Sequence, residues 1–283
     1  MSWQLFTAIS VLALSSSVLL QRVLLHGDKI NPFAYAVTFQ GIVGILLTIF
    51  ALAYGLKLPG IENVWLPAVI SIIAFGVGHI MYAKTLQSVE ASAFSVLFAT
   101  QAVWIMLVGI LLFSESLTVL QVIGTLLIFG SVGLLVKNIR ALTLDKGTMY
   151  GLLTGLIFGV AIVSWSYAGR YTDGLSWAAV SFIGTSLISF LVRPGSFRKM
   201  APLFRGKLLL KLLLLGVFYG IGSLTMLFAY KEGTFSIVTP LRQTSIIVTT
   251  LLALIFLAKE RNRIGIKLLA AIVCFIGVLL IVV

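Results

Sequence analysis

Arg242 is the one basic residue that falls inside a long apolar run and away from its ends, and it lies in the most polar stretch of any such run, Pro240–Ser245. It comes about seven residues, hence about 10 Å of helix, after that run begins. A guanidinium at this depth in an apolar phase is costly and by default marks a functional site, where it would bind a carboxylate or a phosphate. The alternative is that its long stem carries the charge back to the nearer polar interface. Both interpretations stay open, and Gln243 beside it is a second candidate ligand.

Other polar and aromatic residues inside the apolar runs are candidates to line a cavity. His79 lies close in sequence to Tyr82, and we expect it either to hydrogen-bond into a cavity or to be a satisfied core histidine, with a proton relay still open. A metal site needs several converging ligands, and the only other histidine, His26, is in a loop, so we expect no metal and no other cofactor. The further candidates for a substrate-binding cavity are Gln101, Trp104, Trp165, Tyr219 and Ser223.

The composition says what kind of element must position these residues. Of the 283 residues, 60% are hydrophobic and only 10% are charged, against about 25% charged in a soluble domain. A soluble fold, a disordered chain and a disulfide scaffold are therefore excluded, which leaves a polytopic membrane protein. Its runs are continuous and lack the alternation of a membrane barrel, so they predict an all-α protein with transmembrane helices.

Ten hydrophobic segments are long enough to be membrane spans, and short loops connect them. The first begins without a basic region and continues to about residue 20, so we expect a retained helix rather than a cleaved signal peptide. The predicted spans are Trp3–Leu20, Pro32–Leu56, Val64–Ala83, Ser92–Phe113, Leu117–Val136, Thr148–Gly169, Leu175–Val192, Leu208–Ala229, Phe235–Leu257 and Ile264–Val283.

The distribution of basic residues predicts the orientation of the chain. Of the 20 Lys and Arg residues, 16 lie in the odd-numbered loops or at the span ends beside them, that is, after spans one, three, five, seven and nine. The even-numbered loops hold 3. The positive-inside rule places the basic loops in the cytoplasm and both termini outside it. The net charge of +12 has this ordinary explanation, so we expect the lipid bilayer and a small molecule as partners, and no nucleic acid.

The two halves of the sequence resemble each other. Residues 75–78 (Phe-Gly-Val-Gly) match residues 219–222 (Tyr-Gly-Ile-Gly) at a shift of 144, and Glu115 matches Glu260 at 145. These matches predict two five-span halves, residues 1–140 and 147–283. Because five is odd, the second half must enter the membrane in the opposite orientation, which makes the pair an inverted repeat typical of secondary carriers.

Together these features resemble the drug/metabolite transporter superfamily, EamA type. The first half carries the recurring motif Glu115–Thr118 (Glu-Ser-Leu-Thr), followed by Gln121, Gly124 and Gly130; the second half is a looser copy, in which Arg261–Arg263 replaces the usual Leu-Thr after Glu260. The resemblance implies ten helices around a central cavity. It also implies secondary transport, by alternating access, of a small organic metabolite such as an amino acid, and it favours export across the plasma membrane of a bacterium or archaeon.

Glu115 and Glu260 are the acids with a candidate role. Each is interpreted either as a gate charge or as a carboxylate at the positive end of a helix dipole. All eight acids lie in loops or at span ends, so an intramembrane carboxylate that exchanges protons is disfavoured.

Two functions outside transport remain alternatives. A membrane-embedded enzyme needs acid, base, nucleophile or metal groups within reach of each other, and no predicted span carries an acidic pair, a histidine cluster or a Gly-x-Ser-x-Gly motif. We therefore expect no enzyme. A non-transporting membrane scaffold is the second alternative, and the polar residues inside several spans argue mildly against it.

Overall fold

The computed structural model describes residues 3–27, 30–58, 60–105, 107, 118–135, 145–232, 238, 241–242, 244–257 and 262–282. In these ranges the secondary structure is helical and contains no strand, which confirms the all-α prediction. The α-helices are α1 (Trp3–Arg22), α2 (Pro32–Tyr54), α3 (Trp65–Ser88), α4 (Ala91–Ala99), α5 (Val119–Leu135), α6 (Lys146–Tyr171), α7 (Gly174–Val192), α8 (Gly206–Glu232), α9 (Ser245–Phe256) and α10 (Ile264–Val282).

The predicted spans and the helices agree closely in position. Among the described residues, seven helices are long and apolar enough to cross a membrane, namely α1, α2, α3, α6, α7, α8 and α10. The other apolar helices, α4, α5 and α9, are shorter within the described ranges, although helix continues beyond α4 as far as Ile105. The predicted spans at these three places extend into residues outside the described ranges, so ten complete spans stay a prediction.

Short polar residues fix where several helices begin. Pro32 is the first residue of α2, as predicted, and the Asn31 side chain accepts a hydrogen bond from the Ala34 N–H. The carboxylates of Asp145 and Asp173 likewise accept a hydrogen bond from the N–H group of the third residue of α6 and of α7. Such caps satisfy backbone donors that have no partner within the helix, so these three starts follow directly from the sequence.

The helices pack in pairs that join the two halves of the chain. The most extensive contacts are those of α1 with α8, α3 with α6, α2 with α7 and α5 with α10, and α4 packs more extensively on α9 than on any other helix. If the halves are equivalent, α1 corresponds to α6, α2 to α7, and so on to α5 and α10. Under this correspondence the pair of α1 and α8 is equivalent to the pair of α6 and α3. Each of the other three pairs joins two corresponding helices. Each half therefore finds its main partners in the other half.

Glycines allow several helices to approach one another closely. Gly151, Gly155 and Gly159 of α6 face the helix that starts at α4, where an added Cβ would lie 2.7 Å from Leu97, 2.2 Å from Thr100 and 2.8 Å from Trp104 respectively. In the pair of α5 and α10, a Cβ on Gly124 would lie 2.5 Å from the Gly277 carbonyl oxygen. Here backbone contacts backbone, so neither side can move aside easily.

Two of the basic residues counted with the loops and span ends are buried in helices. Lys267 belongs to the first turn of α10, is 7% exposed and forms an ion pair with Glu90, which precedes α4. Arg22 ends α1, is 6% exposed and donates a hydrogen bond to the Leu86 carbonyl oxygen of α3. Both residues lie at span ends, and the tertiary contacts that cover them could not be predicted from their charge.

Candidate functional site

A cavity of about 160 Å³ lies between the two halves. Of the labelled helices, α5 and α10 do not line it; the other eight each contribute at least one residue, and Arg242 contributes from the residues just before α9. Pockets for drug-sized ligands are about 300–1,000 Å³. The cavity therefore fits a solute smaller than a typical drug.

Aromatic rings form one wall of the cavity. His79 packs with its ring stacked on Phe75 at 5.8 Å between centroids and edge-on to Phe158 at 5.0 Å. Phe98 approaches Phe158 at 4.9 Å, and Tyr219 of α8 lies 6.3 Å from His79. These residues come from four helices, so the wall forms only when the two halves pack together.

A buried hydrogen-bonded chain lies behind this wall. The Tyr35 hydroxyl donates to the Gln21 amide oxygen at 2.8 Å, and the Gln21 amide nitrogen donates to the Tyr82 hydroxyl at 3.4 Å. Tyr82 in turn packs edge-on to Phe94 at 4.5 Å. The chain ties α1, α2 and α3 together and holds the Tyr82 ring in the lining of the cavity.

Some polar groups of the lining have hydrogen-bond partners within the protein, and others have none among the described residues. The Trp165 indole N–H donates to the Ser181 hydroxyl at 2.9 Å, so this pair is complete without a ligand. Gln40 and Gln101 are 0% and 2% exposed, and within the described part of the chain neither atom of the Gln40 amide, nor the Gln101 amide oxygen, has a hydrogen-bond partner. Most buried polar atoms in proteins are paired, so these amides point to a missing partner.

Among the described residues, the charge carried by the cavity lining is positive. Arg242 is in the lining, and the lining contains no Asp or Glu among the residues that the structure describes. The described residues also contain no group of three or more His, Cys, Asp or Glu that could hold a metal ion. The cavity is therefore suited to a neutral or anionic solute, with hydrogen-bonding side chains distributed among rings.

A family model matches the chain twice, over residues 1–137 and 145–283, and its description is the EamA-like transporter family. The chain belongs to the EamA-like transporter family. This membership confirms the resemblance drawn from the sequence and establishes a membrane transporter family as the context of the cavity.

One solved structure similar to this EamA-like protein is titled "Crystal structure of protein". It has 18% sequence identity and a TM-score of 0.61, and the match covers 95% of this chain and 96% of that chain. At this identity the likeness concerns the fold alone. No curated protein matches the chain with significant similarity.

The structure brings together most of the site residues predicted for this EamA-like protein. His79, Tyr82, Gln101, Trp165, Tyr219, Ser223 and Arg242 all line the cavity. Trp104 is not among the lining residues; its Cβ faces Gly159 of α6, so it packs between helices. Gln243, Glu115 and Glu260 lie outside the described residues, and their predicted roles stay predictions.

The phenylalanines of the aromatic wall are the part of the site that the sequence did not predict. Phe75, Phe98 and Phe158 are apolar residues in apolar helices, so nothing in the sequence separates a cavity wall from a core position. Gln40 did carry a signal, since an amide in an apolar helix is costly unless it has a partner.

Proposed function

We propose that this EamA-like protein is a secondary transporter that moves a small organic metabolite, such as an amino acid, across the plasma membrane by alternating access. The observation that carries the proposal is the cavity itself, which takes lining residues from both halves of the chain. A site at the interface of two repeats is the arrangement in which one half can rock against the other around a bound solute.

The packing of the helices supports an inverted relation between the halves. The main helix pairs are the same when the halves are exchanged, as expected for repeats related by a pseudo-two-fold axis. Ten spans in two five-span halves would then place the two halves in opposite orientations. Two alternative arrangements of such a pair would open the cavity to opposite sides of the membrane.

Arg242 is the residue we assign to an anionic group of the substrate. It is a cation in a lining without a carboxylate among the described residues, and its planar guanidinium suits a carboxylate or phosphate. Gln243, the residue next to it, is proposed as an additional ligand. Export as the direction rests on the family resemblance.

Flux into proteoliposomes tests the proposal. Purified protein should move a labelled amino acid or another small metabolite with saturation, and mass spectrometry should recover the cargo chemically unchanged. Absence of saturable flux for all solutes that bind would contradict the carrier and favour a scaffold, whereas a modified product would favour a membrane-embedded enzyme.

Blocking the cavity provides a matched control for that experiment. Ser223→Trp places a large ring in the lining of the cavity and should abolish flux, while Leu210→Trp, on the same helix at a side chain that is 68% exposed, should leave it nearly unchanged. Equal effects of the two substitutions would show that flux does not pass through this cavity. Loading labelled solute inside or outside right-side-out cells determines the direction.

A further inference from the structure

The lining contains a buried amide whose two hydrogen-bonding atoms are both unused. Gln40 of α2 is fully buried and lines the cavity, and within the described residues its amide nitrogen and oxygen have no partner. Burying such a group unsatisfied is unfavourable, and a well-packed apolar residue would avoid the loss. The position is therefore better explained by a partner that binds than by packing.

An amide side chain offers two donors and an acceptor oxygen side by side. Either orientation of the Gln40 amide presents a donor next to an acceptor, so its natural complement is a group with an adjacent N–H and C=O, as in a carboxamide, a lactam or an imide. The Gln101 amide oxygen, also unpartnered among the described residues, offers one more acceptor in the same cavity.

The aromatic rings and Arg242 indicate the shape and charge of the ligand. Rings from Phe75, His79 and Phe158 present flat apolar surface, which favours a planar solute. An aromatic wall can also bind an organic cation through cation–π attraction. Here Arg242 is in the lining and no acid accompanies it among the described residues, so a cation would be repelled.

We propose that the cavity binds a small planar anion that carries an amide-like edge, and that Gln40 is the residue that selects for this edge. Arg242 binds the anionic group, the rings hold the plane, and Gln40 exchanges two hydrogen bonds with the N–H and C=O of the ligand. This inference rests on the proposed function, since it names the substrate class of the same cavity.

Equilibrium binding to the purified protein in detergent tests the inference without requiring transport. Orotate is the main probe, because it has a carboxylate, a planar ring and imide edges. Benzoate has the carboxylate and ring without the edge, and benzyltrimethylammonium is the cationic counterpart. We expect the wild-type protein to bind orotate about 10-fold more tightly than benzoate and to bind the cation least.

The Gln40→Leu variant distinguishes a role of Gln40 in ligand binding from a role in stabilising the fold. We expect it to lose the preference for orotate over benzoate while its ligand-free unfolding temperature stays equal to that of the wild type or rises, because a buried unsatisfied amide has been removed. Arg242→Gln should weaken orotate and benzoate together and leave uracil, which has the edge without the carboxylate, unaffected.

Three results would overturn the inference: a lower unfolding temperature of Gln40→Leu with an unchanged preference for orotate, equal binding of orotate and benzoate by the wild type, or tighter binding of the cation than of either anion. Failure of the proposed function has a different outcome, namely selective binding of orotate in detergent without flux of labelled orotate in proteoliposomes.

Discussion

Arg242 and His79 are polar residues in the same cavity with different surroundings. His79 is enclosed by rings of three helices, α2, α3 and α6, and by Tyr219 of α8. Arg242 is only partly buried and brings a permanent charge to the lining. Its predicted role in binding an anion can be tested by substitution once a substrate is known.

Substituting Arg242 should distinguish a charge-assisted contact from a side chain that reaches the lipid headgroups. A hydrogen bond to a charged group contributes about 1.5–3 kcal/mol, so Arg242→Gln should weaken binding of an anionic substrate by roughly 10- to 150-fold. Arg242→Lys keeps the charge without the planar fork and should cost less. The measurement is uptake into proteoliposomes at matched protein levels, and wild-type kinetics in Arg242→Gln would exclude the binding role.

Neutralising the predicted gate carboxylates should have a partial effect. All eight acids lie in loops or at the ends of predicted spans, so a carboxylate that exchanges protons in the membrane is not expected. Glu115→Gln and Glu260→Gln should each reduce the transport rate or the yield of folded protein only in part, as loss of a charge at a helix start does. Complete loss of transport with normal protein levels and normal substrate binding would show that one of them is essential.

At the scale of the elements, close backbone contact holds α5 against α10. Gly124 and Gly277 oppose each other, and an added Cβ on either would lie 2.5–2.7 Å from the carbonyl oxygen of the other. Because both neighbours are backbone atoms, a methyl group can be accommodated only if the helices separate. This pair does not line the cavity, so we expect its contact to contribute to stability by holding the halves together.

Gly124→Ala should therefore destabilise the protein although alanine favours helix. We expect a loss of about 1–3 kcal/mol, as for overpacked cores, measured as a lower unfolding temperature in detergent. Gly130→Ala on the same helix is the matched control, because a Cβ there meets nothing within 4 Å. Similar effects of the two substitutions would mean that the contact with Gly277 does not limit stability.

The ion pair between Lys267 of α10 and Glu90 before α4 is a second contact between halves. Removing one partner of a buried pair costs about 3–5 kcal/mol, and the cost here is lower because the Glu90 side chain is 34% exposed. Glu90→Gln leaves the buried Lys267 ammonium without this carboxylate, whereas Lys267→Met leaves the Glu90 carboxylate, which is only partly buried, without this ammonium. We expect Glu90→Gln to lower the unfolding temperature more, and the opposite order would contradict this account.

At the scale of the whole molecule, the bias of basic residues predicts that both termini face away from the cytoplasm. A reporter that fluoresces only in the cytoplasm should stay dark when fused after Val283 and should be bright when fused after Arg205, in a predicted cytoplasmic loop. The two fusions carry the same reporter, so their comparison controls for expression. A bright C-terminal fusion in correctly inserted protein would overturn the orientation.

The sequence predicted the positions of the helices well because each depends on local information. Continuous apolar runs and capping residues such as Asp145 and Asp173 determine where helices lie and begin, within a few residues. Tertiary contacts determined the rest. Trp104 and Trp165 are both tryptophans inside spans, yet one packs on Gly159 and the other lines the cavity.

The sequence by itself determined that this is an all-helical membrane protein with two similar halves, because hydrophobicity, charge bias and internal similarity are properties of the chain alone. Only the tertiary structure decided which faces meet. The pairing of α1 with α8 and of α3 with α6, the aromatic wall and the unpartnered amide of Gln40 all depend on contacts between distant segments. In an apolar helix every face is hydrophobic enough to be buried, so sequence pattern cannot separate the face that lines a cavity from the face that contacts lipid.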